Sequence, residues 1–121
     1  VVEVANDNGG GQIVVSGHAA AVDRAIEKAK EAGIKRAMKL PVSAPFHCAL
    51  MAPAAEVMAA ELERAAMRAP AVPVVANVTA AKATDPAEIR DLLGRQVTGT
   101  VRWRECILAM GAMGCDRFVE V

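Results

Sequence analysis

The chain has 121 residues and a mass of 12.6 kDa, the size of one ordinary domain or of part of a larger one. Hydrophobic residues make up 54% and the mean hydropathy is +0.27, which excludes intrinsic disorder. Fourteen Lys+Arg balance fourteen Asp+Glu, and the aromatic content is only 2%. A chain with neither a basic footprint nor stacking platforms is not expected to bind nucleic acid. No apolar run is long enough to span a membrane, and Val-Val-Glu-Val does not open a signal peptide. Cys48, Cys106 and Cys115 are odd in number, widely spaced and not at metal-ligand spacing from His18 or His47. Free thiols in a cytoplasmic protein are the expectation, with no metal.

The chain opens as a β-hairpin: a strand over Val1–Ala5, a turn at Asn6-Asp7-Asn8-Gly9-Gly10-Gly11, and a strand over Gln12–Ser16 that Gly17 breaks. A helix from about Ala19 to Ala32 follows, with Val22, Ala25, Ile26 and Ala29 on one face, charged residues around the rest, and Gly33 as its stop. Lys35 to Val42 alternates as a strand with Met38, Leu40 and Val42 on one side. Ser43-Ala44-Pro45-Phe46-His47 is irregular, and a long helix is predicted from about Ala49 to Arg68, with Pro53 in its first turn. Val74 to Thr79 reads as a short buried strand. Asp85-Pro86-Ala87-Glu88 carries an N-cap, an N1 proline and an N3 glutamate, and starts a helix through Ile89, Leu92 and Leu93. Val97–Thr100 interrupts it. Another helix begins near Val101, with Trp103, Cys106, Ile107 and Met110 on its apolar face and Gly114 at its end, and Arg117–Val121 is a last strand. The fold class is α/β, and the first four elements match the later part of a β-α-β-β-α-β split fold. Strands predicted at both ends suggest that the chain is a piece of something longer.

Few residues offer chemistry. His47 stands between a strand end and a helix start, where α/β folds present functional side chains, and an imidazole is the natural base for a hydroxyl or thiol nucleophile. The alternative is a structural hydrogen bond at a helix start, which position alone favours. No Gly-x-Ser-x-Gly occurs, and Ser16, Ser43 and Cys48 are poorly placed to pair with His47, so its nucleophile is not expected in this chain. Gln96 lies seven, four and three residues after Ile89, Leu92 and Leu93 and extends an apolar stripe. Either it faces a site or its amide bonds a neighbouring loop. Asn6 and Asn8 flank Asp7 before three glycines that form no phosphate motif, and loop formation explains them.

Taken together, Val4-Ala5-Asn6-Asp7-Asn8, Gln12 to His18, Leu40-Pro41-Val42-Ser43-Ala44-Pro45-Phe46-His47-Cys48-Ala49-Leu50-Met51, Val72 to Val78 and Arg95-Gln96-Val97-Thr98-Gly99 resemble the bacterial malonyl-CoA:acyl-carrier-protein transacylases over essentially the whole chain. The resemblance implies ping-pong transfer of malonyl from CoA to the phosphopantetheine thiol of acyl carrier protein in fatty-acid biosynthesis, by an enzyme without a cofactor of its own. It places the general base on His47 and, on Gln96, the backbone carbonyl that orients the imidazole. It puts Phe46, Asn6 and Asn8 beside the substrate. Residues 1–42 would belong to a ferredoxin-like small subdomain and 43–121 to an α/β-hydrolase-like large one. The serine elbow, the carboxylate-binding arginine, the oxyanion loop and a closing Gly-x-Gly are expected outside these residues, so this stretch alone is expected to be inactive and its parent a monomer. A polyketide-synthase acyltransferase domain, or a non-catalytic ferredoxin-like module that binds carrier protein, are the alternatives.

Overall fold

The computed structural model describes all 121 residues as a mixed α/β arrangement with two separate two-stranded sheets. Strands β1 (Val2–Asp7) and β2 (Ile13–Gly17) pair antiparallel, and α1 (Ala19–Glu31) follows. The glycine-rich turn forms as the sequence predicts: Gly9, Gly10 and Gly11 all have positive φ, and Asn8 N–H donates to the Gln12 carbonyl at 3.0 Å. Gly17 does not break β2 but ends it opposite Val2; a Cβ there would lie 2.1 Å from the Val1 carbonyl oxygen, so glycine is required by close approach. A bulge between Val4 and Asn6 turns the backbone of β1 toward a later segment. Val101 N–H donates to the Ala5 carbonyl at 2.8 Å, and Asp7 N–H to the Val101 carbonyl at 2.9 Å.

Helix α1 buries Ala21 and keeps Val22, Ala25, Ile26 and Ala29 half-buried, while its charged residues are exposed. It ends in a Schellman motif: Ile34 N–H reaches the Ala29 carbonyl, Gly33 N–H reaches that of Lys30, and Gly33 has φ 87°. The strand predicted over Lys35–Val42 is absent. This segment pairs with neither sheet, and without a ladder alternation alone does not make a strand. Its apolar side stays open, with Met38 67% and Val42 61% exposed.

The helix predicted over Ala49–Arg68 is shorter and compound. A 3₁₀ turn, Ala49–Met51, runs into α2 (Ala52–Arg64), with Pro53 in the first turn. Arg90 ends α2 early by donating from Nε to the Leu62 carbonyl at 2.9 Å and from Nη2 to that of Ala65 at 3.2 Å. The strand predicted over Val74–Thr79 stops at Ala76: β3 (Val74–Ala76) turns back through Asn77–Ala80 into an unpredicted β4 (Ala81–Ala83).

Helix α3 (Pro86–Arg95) begins as its sequence dictates, with the Asp85 carboxylate accepting from Glu88 N–H at 2.9 Å. Asp85→Ala should cost about 1 kcal/mol of stability in the intact polypeptide, the usual worth of such a cap; urea unfolding measures it, with an unchanged slope and a lower midpoint expected. Helix α4 (Trp103–Ala112) buries Cys106 but leaves Trp103 47% exposed, and Gly114 closes it at φ 93°. The strand predicted over Arg117–Val121 is also absent; these residues are irregular and exposed because nothing here pairs with them.

The core is small. Only Ala5, Ala21, Cys48, Ala83, Leu92 and Cys106 are buried. The accessible surface is 8528 Å², against roughly 6,200 Å² for a compact monomer of this mass. Several apolar faces are therefore uncovered, including the exposed sides of both strands of the hairpin. No helix is long and apolar enough to cross a membrane.

Candidate active site around His47

Where the chain enters the 3₁₀ turn before α2, His47 adopts φ 59°, a conformation that costs a residue with a Cβ and is uncommon outside glycine. Three contacts hold this elbow. The Cys48 thiol, fully buried, donates to the Pro45 carbonyl at 3.2 Å. Glu3, reaching across from β1, accepts from Ala49 N–H at 2.8 Å and supplies the cap that Cys48 does not. The ring itself meets the Gln96 carbonyl through Nδ1 at 2.9 Å. Cys48 is thus committed to a backbone bond, in keeping with its exclusion as a partner for His47.

A carbonyl has no proton to give, so Nδ1 carries the hydrogen and donates, which leaves Nε2 unprotonated in the neutral ring. Gln96 caps the C-terminus of α3, and no backbone N–H bonds its carbonyl. That carbonyl is one of the orphan acceptors of a helix end, at the pole that favours positive charge. No carboxylate bonds the ring. The imidazole is therefore oriented by a neutral acceptor.

The side chain of Gln96 points elsewhere. Its Oε1 accepts from Asn77 Nδ2 at 3.4 Å, at the rim of a cavity of about 180 Å³ lined by Val75, Ile89, Leu92 and Leu93. The amide of Gln96 thus bonds a neighbouring turn, and its main-chain carbonyl meets the His47 ring. Gly99 lets this segment sit close, since a Cβ there would meet Val78 Cγ1 at 2.8 Å and the Arg95 carbonyl at 3.0 Å.

Phe46 is 49% exposed immediately before His47. Asn6 and Asn8 are not hydrogen-bonded to His47, Phe46 or Gln96; Asn8 Nδ2 bonds Gln12 Oε1 at 3.4 Å across the hairpin turn, and Asn6 bridges to Val101. Between the two asparagines, Asp7 pairs with Arg104 at 2.7 Å. The hydrogen bond from the guanidinium holds the Asp7 carboxyl below its ordinary range. Cys106, on the buried side of α4, has its thiol pushed the other way, chiefly by burial. Sequence reasoning passed over Glu3 and Asn77. Glu3 carried no signal, whereas a polar residue within Val-Val-Ala-Asn-Val-Thr was a visible irregularity.

The acyl transferase domain family matches residues 1–121. The chain is 48% identical over its full length to the malonyl CoA-acyl carrier protein transacylase of Salmonella typhimurium, of which it spans 39%. The crystal structure of an acyl-carrier-protein-S-malonyltransferase from Bartonella henselae superposes with a TM-score of 0.92 at 53% identity, over 96% of this chain and 37% of that one. A malonyl-transacylase solved in complex with its type II polyketide synthase acyl-carrier protein is similar at 42% identity and TM-score 0.91, over 94% of this chain and 37% of that one.

Proposed function

The chain belongs to the acyl transferase domain family, and on that premise we propose that its parent polypeptide moves malonyl from CoA to the phosphopantetheine thiol of acyl carrier protein, with His47 as the general base. The bond between His47 Nδ1 and the Gln96 carbonyl carries the proposal, because it fixes the tautomer that a base needs and leaves Nε2 for the nucleophile. The nucleophile is a serine contributed by another part of the parent, since no Gly-x-Ser-x-Gly occurs in these residues.

In the first half-reaction Nε2 takes the serine proton as Oγ bonds the thioester carbonyl carbon. Collapse of the tetrahedral adduct breaks the C–S bond, and the imidazolium returns its proton to the leaving CoA sulfur. In the second, Nε2 takes the proton of the phosphopantetheine thiol, the sulfur attacks the malonyl ester, and the proton passes to the departing serine oxygen. The ring is cationic only transiently, and the Gln96 carbonyl accepts from Nδ1–H throughout. The chemistry needs no cofactor: CoA is the leaving group, and the partner carries its own phosphopantetheine.

Residues 1–42 would then form part of a ferredoxin-like small subdomain, and 43–121 part of an α/β-hydrolase-like large one, which accords with two sheets that share no strand. Asn6 and Asn8 would line the cleft between them, beside Phe46. The large apolar surface left open supports an enzyme segment that packs against further chain, rather than a self-sufficient carrier-binding module. A free-standing cytoplasmic monomer is favoured over a synthase domain, because the similarity to discrete transacylases runs through both the hairpin and the His47 segment.

The test is to incubate the intact parent with malonyl-CoA labelled in the malonyl group. A protein-bound label should form without carrier protein, with release of one CoA each, and holo carrier protein should discharge it. Transfer that proceeds only when both substrates are present, with no labelled protein, would rule out the covalent route.

A further inference from the structure

Asn77 opens the turn between β3 and β4, and an asparagine there would ordinarily serve the turn itself, by bonding a nearby N–H or by adopting a positive φ. It does neither. Thr79 and Ala80 N–H both donate to the Ala76 carbonyl, at 3.3 and 2.8 Å, and the positive φ belongs to Ala80. The polar groups of Asn77 reach across to other elements instead. Nδ2 donates to Gln96 Oε1 at 3.4 Å, the backbone carbonyl accepts from Arg102 N–H at 3.3 Å, and Oδ1 lies 3.9 Å from Cys106 Sγ. Asn77 is therefore tied to both ends of the segment that leads from α3 to α4.

Gln96 needs such a tie. Its N–H still bonds the Leu92 carbonyl at 3.1 Å, but the helix stops at Arg95, and the peptide plane of the carbonyl that receives His47 is held by one long bond, from Val97 N–H to the Gly94 carbonyl at 3.3 Å. Helix ends fray, and a modest rotation at Gln96 would swing the acceptor away from Nδ1. The side-chain amide, anchored to Asn77, opposes that rotation.

We propose that Asn77 is a positioning residue for the base: by holding the Gln96 side chain toward the β3–β4 turn, it keeps the Gln96 carbonyl aimed at His47 and the imidazole in its Nδ1–H tautomer. The proposal rests on the reading of His47 as general base. Asn77 has no hydrogen bond to His47, so its influence passes through Gln96.

The experiment uses the intact parent with malonyl-CoA and holo carrier protein. Asn77→Leu, close in shape but without polar atoms, should lower kcat by roughly 10- to 100-fold with KM changed less than about twofold, the signature of misorientation rather than lost binding. Asn77→Asp should retain most of the activity, because the Gln96 amide can turn over and donate to the carboxylate. Gln96→Met removes the same bond from the other side while keeping the backbone carbonyl, and should match Asn77→Leu. The double variant should be no slower than the worse single one. If Asn77→Leu fails to fold, as a thermal melt would show, Gln96→Met and its kcat carry the test alone. Wild-type kcat in the soluble variants, losses that multiply in the double variant, or an Asn77→Asp protein as slow as Asn77→Leu would overturn the proposal. Wild-type turnover in His47→Ala would remove the base itself, whatever Asn77 does.

Discussion

His47→Ala in the intact parent should reduce kcat for malonyl transfer by about 10²- to 10⁴-fold, the usual worth of a positioned acid–base group. KM for malonyl-CoA should change little, since the imidazole acts on protons in transit and not on the bound thioester, so kcat and kcat/KM fall together. Alanine is not a clean probe by itself. His47 has φ 59°, and a residue without a polar side chain is strained there. His47→Asn separates the two effects, because asparagine tolerates that conformation yet supplies no base. Both variants should be comparably slow, while the asparagine protein melts closer to wild type. Near-normal turnover in the asparagine variant would leave His47 as a structural residue that merely bonds Gln96.

What could be read in the sequence was what short-range chemistry controls. Asp85-Pro86-Ala87-Glu88 fixed the start of α3 because the cap, the proline and the N3 residue lie within four positions of each other. The hairpin turn was legible for the same reason, as was the stop of α1 at Gly33. The failures are non-local. Lys35–Val42 and Arg117–Val121 have apolar residues suited to strands, yet a strand exists only where another backbone receives its hydrogen bonds, and none does. Ala81–Ala83 has no β-rich residue at all and pairs because the turn at Asn77–Ala80 folds it back onto β3. α2 ends where Arg90, a residue 26 positions further on than Arg64, takes its last carbonyls.

The site divides along the same line. The residue type and position of His47 marked it as a candidate. The identity of its partner did not follow from the residues alone, because a main-chain carbonyl is common to every residue and leaves no pattern. Gln96 drew notice through its amide, which turns out to bond Asn77, and only the family resemblance pointed to its carbonyl. The absence of a suitable carboxylate was the sole indirect sign that a neutral acceptor holds the ring.

Phe46→Ser should raise the kcat/KM for methylmalonyl-CoA relative to malonyl-CoA in the intact parent. Phe46 is 49% exposed immediately before His47 and is therefore not consumed by packing within these residues. Pro45 limits the backbone before it, and the Phe46 N–H bonds the Ala44 carbonyl at 3.0 Å, so the side chain leaves a tightly turned segment and cannot easily withdraw. If that ring borders the acyl group, it fills the volume that a 2-methyl substituent needs. One methyl's worth of discrimination in such a pocket amounts to about 1–3 kcal/mol, or roughly 10- to 200-fold. Serine removes most of the ring volume and should give back a large part of that factor, mainly by accelerating the methylmalonyl reaction, while malonyl transfer falls only modestly. The loss must appear in the ratio of the two kcat/KM values, since a general disturbance of His47 next door would lower both in proportion. A ratio unchanged between wild type and Phe46→Ser would assign the ring to contacts with the rest of the parent and leave the extender preference to residues outside this chain.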